Sequence, residues 1–83
     1  MNTIIKAGNA KTSGHRGKVT FPKPLKGLPS KYAFLATAAS ALLGQSGAHV
    51  ISYDLDATNK NMKAFEVYTD EEIADFSWVV VQL

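Results

Sequence analysis

The residue order predicts an α+β domain: a small antiparallel or mixed sheet of three to five strands, with one long helix packed on one face. Three observations carry this. An Ala- and Leu-rich run lies between Ser30 and Gly44, Ile51, Tyr53 and Leu55 alternate with Ser52 and Asp54, and Trp78 to Leu83 closes on an apolar run. With 83 residues, 46% of them hydrophobic, the chain makes one domain, residues 1–83, and is too apolar for a disordered segment.

Taken in order, Thr3 to Ala7 fits a short strand. Residues 8–17 hold Gly8, Gly14 and Gly17 and no large apolar side chain, which predicts a mobile basic loop, since nothing there offsets the entropy of ordering. Lys18-Val19-Thr20-Phe21 is β-prone, and Pro22 and Pro24 place it at a sheet edge or end it. Lys26-Gly27-Leu28-Pro29 reads as a turn. Residues 30–43 then predict the long helix, with Ser30 as its cap and Gly44 as its left-handed exit. Tyr32, Leu35, Ala39, Leu42 and Leu43 recur at helical spacing.

The alternating segment His49 to Leu55 and the returning Met62 to Tyr68 predict a hairpin, joined by the turn residues Asp56 to Asn61. Thr69-Asp70-Glu71-Glu72 has the spacing of a capping box, predicting a short helix near 70–75. The last segment, Trp78 to Leu83, is apolar without alternation, which predicts a strand covered on both faces or placed centrally in a sheet.

The net charge of +2 conceals two opposed halves. Residues 1–49 carry seven basic side chains and no acid, whereas residues 50–83 carry two lysines against seven acids. One reading pairs the halves across adjacent strands. The other leaves a one-signed patch for a charged partner.

Several chemistries are excluded. Zero cysteines rule out a disulfide framework, a thiolate metal site and a cysteine nucleophile. Gly17-Lys18 is followed by Val19 rather than Ser or Thr, and the position five before Gly17 is Thr12, so no Walker loop is present. Asp54 to Phe65 begins like a calcium loop but lacks its sixth-position glycine and its twelfth-position acid. His15 and His49 lack metal-ligand spacing, and no Gly-x-Ser-x-Gly elbow occurs. A non-enzymatic protein without cofactor or metal is the expectation. The longest apolar run, Ala33 to Leu43, is far short of the roughly 20 residues of a membrane span, and no signal segment opens the chain. Both facts point to a cytoplasmic protein with no membrane partner.

Two binding classes remain. In the first, the acids Asp54, Asp56, Glu66, Asp70, Glu71, Glu72 and Asp75 form a protein-binding surface that imitates nucleic-acid phosphates. Tyr53, Tyr68, Phe76 or Trp78 would then act as anchors. In the second, Lys11, Arg16, Lys18, Lys23 and Lys26 contact phosphates from around the basic loop, and the protein is a small nucleic-acid-binding accessory.

The chain opens Met1-Asn2-Thr3, carries Gly17-Lys18-Val19-Thr20-Phe21 before the Ala-rich segment Ala36 to Gly44, continues into a hairpin and closes on Phe76-Ser77-Trp78-Val79-Val80-Val81-Gln82-Leu83. Over nearly its whole length this plan resembles the small phage-encoded anti-CRISPR proteins aimed at type I effector complexes, without a signature motif. The resemblance implies a stoichiometric inhibitor in the host-cell cytoplasm. Its partner would be a larger protein or ribonucleoprotein complex, whose DNA binding or nuclease recruitment it blocks.

Overall fold

Period-two alternation governs far more of the chain than the hairpin. The computed structural model describes residues 3–40 and 44–83. They form seven strands: β1 (Thr3–Lys11), β2 (Arg16–Leu25), β3 (Tyr32–Ser40), β4 (Gly44–Ser46), β5 (Ala48–Leu55), β6 (Met62–Thr69) and β7 (Asp75–Gln82). In β2, Gly17, Val19 and Phe21 are buried while Arg16, Lys18 and Thr20 are exposed. That alternation marks a strand with one face on a core.

The strands make two sheets, in the orders β1-β7-β3-β4 and β2-β6-β5, with every pairing antiparallel. The fold is therefore all-β, not α+β. Among the described residues the only helical segment is the 3-10 turn Pro29–Lys31. The expected helix over residues 30–43 is instead β3, with residues 41–43 lying outside the described part. Alanine favours helix, but short side chains on its inner face also suit a strand that packs closely on the second sheet. Phe34, Ala36 and Ala38 pack inward against the core while Leu35 and Thr37 stay exposed. Pairing with β7 from Tyr32↔Gln82 to Ala38↔Phe76 outweighs the local preference.

The expected short helix near 70–75 is also absent. Residues 70–73 bend, and Asp75 already opens β7. The Thr69 hydroxyl, predicted to cap a helix, donates to the Glu71 carbonyl at 2.8 Å and lies 2.8 Å from the Thr12 hydroxyl. Thr12 in turn accepts from the Ala74 amide at 2.9 Å. These two buried threonines tie the β1–β2 turn to the β6–β7 loop and leave no buried polar atom unpaired there.

Of the Gly-rich stretch 8–17, residues up to Lys11 extend β1 and Arg16 opens β2. Between them Ser13 and Arg16 exchange backbone hydrogen bonds across Gly14 (φ 62°) and His15 (φ 72°). That is the geometry of a tight two-residue hairpin turn, whose twist suits the flanking strands.

The core lies between the sheets. Phe65 packs with Phe34 at 5.3 Å, Trp78 at 5.5 Å and Phe21 at 5.8 Å between ring centroids. Met62, Val67, Phe76 and Val80 are fully buried around this cluster. β7 sits between β1 and β3, the central place its non-alternating sequence requires. The thinnest extent of the molecule, 18 Å against 42 and 28 Å, matches two sheets packed about 10 Å apart with their outer side chains.

Candidate binding surfaces

Strand register decides where each charge falls. Three basic residues of the first half meet three acids of the second: Lys11 with Asp75 at 3.8 Å, Arg16 with Glu66 at 3.7 Å and Lys18 with Asp54 at 2.5 Å. Lys11 is the direct cross-strand partner of Asp75, and Lys18 that of Glu66. Such exposed pairs contribute little stability each, but they cancel charge locally. Asp56 is committed differently. Its carboxylate accepts from the Thr58 amide at 2.8 Å and the Asn59 amide at 3.3 Å, closing the β5–β6 turn.

Four of the seven predicted acids, Asp54, Asp56, Glu66 and Asp75, thus have partners inside the chain, and Asp70, Glu71 and Glu72 remain together on the β6–β7 loop. Of the predicted basic set, Lys11, Arg16 and Lys18 are paired, and Lys23 and Lys26 are left. Phe76 and Trp78, considered as anchors, belong to the core. Tyr53 is half-exposed at the β5 edge against Phe34. Tyr68 lies between His15 and His49, with ring centroids at 5.5 and 5.6 Å. Both histidines are therefore part of a surface ring stack, and among the described residues no three metal-ligating side chains cluster.

The Lys18–Asp54 pair shifts the ionisation of both its groups. The hydrogen bond from Lys18, then its charge, holds the Asp54 carboxyl below the usual carboxylate range. The same hydrogen bond, then the Asp54 charge, pushes the Lys18 ammonium up. The Asp54 contribution to stability is complete above the ordinary carboxylate pKa and is lost as pH falls through its lowered folded value. The Lys18 contribution is complete below the ordinary lysine pKa and is lost as pH rises through its raised folded value. An NMR titration of the Asp54 carboxyl should show its midpoint rise in Lys18→Met; an unmoved midpoint would contradict the pair.

What the pairing leaves over is sorted by ends. The turn at Gly27 and the β5–β6 turn meet at one end, where the Gly27 amide donates to Asn61 at 3.1 Å and the Met62 amide to the Gly27 carbonyl at 3.1 Å. Gly27 holds φ at +102°, a conformation that disfavours any side chain, and the Lys31 side chain lies over it. The Tyr32 hydroxyl donates to the Lys26 carbonyl, and the Leu83 amide to the Lys31 carbonyl at 3.1 Å. Lys23, Lys26, Lys31, Lys60 and Lys63 therefore surround one end with Asp56, a net charge of +4 once the neighbouring Lys18–Asp54 pair, whose carboxylate also feels Lys63, is set aside. A cleft there is lined by Lys26, Ser30, Lys31, Tyr32, Gln82 and Leu83. At the opposite end the β1–β2 turn and the β6–β7 loop bring Lys11 and Arg16 beside Asp70, Glu71, Glu72 and Asp75, a net −2.

Lys31, Lys60 and Lys63 come from three separate segments, and sequence reading did not join them to Lys23 and Lys26. The charge of the first half was the available signal for Lys31. Nothing in the order of residues brings Lys60 and Lys63 alongside it before the strand register is known.

A surface depression toward the acidic end includes Thr37, Ser77 and the Lys11–Asp75 pair. The Ser77 hydroxyl donates to the Asn9 side-chain oxygen at 2.9 Å, an amide that cannot act as a base toward it. No helix among the described residues is long and apolar enough to cross a membrane. Comparison with protein-family models, with curated proteins and with solved structures finds no match to this chain.

Proposed function

We propose that the protein acts by binding, without chemistry of its own, and that its lysine end engages nucleic acid through the phosphate backbone. The observation that carries this reading is the net +4 end, where five lysines from four segments converge with one acid already committed to a turn. Lysines on rigid turns neutralise phosphates and release counterions, which gives affinity with little base preference. The end carries no arginine fork and one half-buried aromatic, Tyr32, so bidentate base readout and base stacking play no part.

The test is fluorescence anisotropy with labelled single- and double-stranded DNA and RNA. Lys26→Glu with Lys31→Glu should weaken binding at least tenfold, whereas Arg16→Glu, whose side chain already pairs with Glu66, should change it far less. Equal losses in both variants would overturn the assignment to this end.

A second reading rests on Asp70, Glu71 and Glu72, three acids without an ion-pair partner among the described residues. Their loop is fastened by the Asp70 amide to Gly47 at 3.0 Å and by the His15 amide to Glu72 at 2.8 Å. A fixed acidic loop suits capture of a basic protein surface, as in an inhibitor of a nucleic-acid-handling complex. Reversal of these three charges should abolish capture of such a complex while leaving nucleic-acid binding intact.

A further inference from the structure

The outer face of the four-stranded sheet is apolar over half its length. Trp78 and Val80 of β7 point inward, so Val79 and Val81 point outward. Their cross-strand partners continue two rows. Ile4, Val81 and Ala33 form one row, and Ala7, Val79 and Leu35 the next. Ile4 is 64% and Leu35 58% exposed, and no strand, helix or loop of the described chain covers them. The following row, Asn9, Ser77 and Thr37, is polar, and the last is the Lys11–Asp75 pair. The apolar rows therefore lie toward the lysine end and the polar rows toward the acidic end.

A contiguous apolar patch of this kind is the usual mark of an interaction surface. The charges at its two ends select the partner. Stacking the face on itself about a two-fold axis along the strands sets the two lysine ends together and the two acidic ends together. An axis across the strands does the reverse. It stacks apolar rows on apolar rows and carries the acidic loop of each copy alongside the lysine end of the other. Val80 lies at the centre of the apolar rows, and Asp75 lies five residues away, about 17 Å along the strand. Gln82 is only two residues away on the other side, so each acidic end reaches past the end of its neighbour's sheet, where Lys26 and Lys31 sit. The longer extents of the molecule, 42 and 28 Å, leave a face able to supply the ~800 Å² per partner of a stable interface.

We propose that this face, centred on Leu35, Val79 and Val81, is covered by a second copy of the same chain, packed with its strands reversed so that acidic and lysine ends meet. This goes beyond the nucleic-acid reading and does not depend on it: self-association is measured with no nucleic acid present.

The experiment is light scattering across a concentration series on the full chain, with sedimentation velocity in low and high salt. Wild type should show a mass of at least two chains, dissociating on dilution. Leu35→Glu should give one chain with an unchanged circular-dichroism spectrum, because the side chain it replaces is exposed. The charge test keeps the proposal falsifiable if that variant folds poorly. Lys26→Glu with Lys31→Glu takes the lysine end from +4 to neutral, and Asp70→Lys with Glu71→Lys takes the acidic end from −2 to +2, so each variant loses the attraction between its own two ends. Each variant alone should self-associate at least tenfold more weakly than wild type, and an equimolar mixture should associate with each other. A single-chain mass for wild type at all concentrations, or a mixture no stronger than its components, would overturn it.

Discussion

Phe65→Ala is expected to lower stability by about 3–5 kcal/mol, the cost of an emptied aromatic site in a packed core. Phe65 is 1% exposed and is the only ring that touches Phe21, Phe34 and Trp78 together. Those three come from β2, β3 and β7, so Phe65 joins the two sheets at their middle. Its backbone is paired on both sides, to Val19 of β2 and Tyr53 of β5, so the strand cannot collapse into the space. A domain of this length holds roughly 4–12 kcal/mol in total, and the melting temperature should fall by more than about 12 °C. Phe65→Leu, which keeps most of the volume, should cost markedly less. Chemical denaturation of the pair checks this; equal losses would mean that the aromatic cluster does not join the sheets.

Gly17→Val is expected to be nearly as damaging, at about 3 kcal/mol, for the opposite reason. A Cβ on Gly17 would lie 2.8 Å from the Phe76 ring and 2.9 Å from the Lys11 carbonyl oxygen. One obstacle is a fully buried ring and the other is backbone held in β1, so neither can move aside cheaply. Gly17 is where β2 crosses closest to the first sheet, one residue after the tight turn at Gly14-His15. Gly14→Ala should show a smaller loss, since open space surrounds that position and only its φ of +62° resists a side chain. Thermal melts of the two variants separate crowding from backbone strain, and a larger loss at Gly14 would contradict the close approach at Gly17.

The strands β5, β6 and β7 were legible as strands because each carries its own pattern, although Ile51, Tyr53 and Leu55, whose alternation predicted β5, are exposed and Ala48 and Val50 pack on the core instead. β3 was not. Its alanines satisfy a helical stripe and a strand alternation equally well, and the deciding term, pairing with β7 38 to 50 positions away, is invisible locally. Thr69 misled in the same way: the capping-box spacing was present, but a buried Thr12 competes for its hydroxyl and the β6–β7 loop closes against it.

The charge pattern was legible only as two halves. Antiparallel pairing set Lys11, Arg16 and Lys18 against Asp75, Glu66 and Asp54, which halved the contrast between halves. It also created another between ends. The lysine end exists because Lys31 ends the 3-10 turn that leads into β3 at the place where Lys60 closes a hairpin turn of the other sheet. That meeting is a property of the crossovers between sheets and of no single segment.

The most direct test of the binding account is the salt dependence of nucleic-acid affinity. If about four phosphates are neutralised, the logarithm of the association constant should fall against the logarithm of salt concentration with a slope of roughly −3 to −4. Lys26→Glu with Lys31→Glu should make the slope shallower by about 2. A wild-type slope near zero, or the same slope in the variant as in wild type, would contradict a lysine end that holds phosphates.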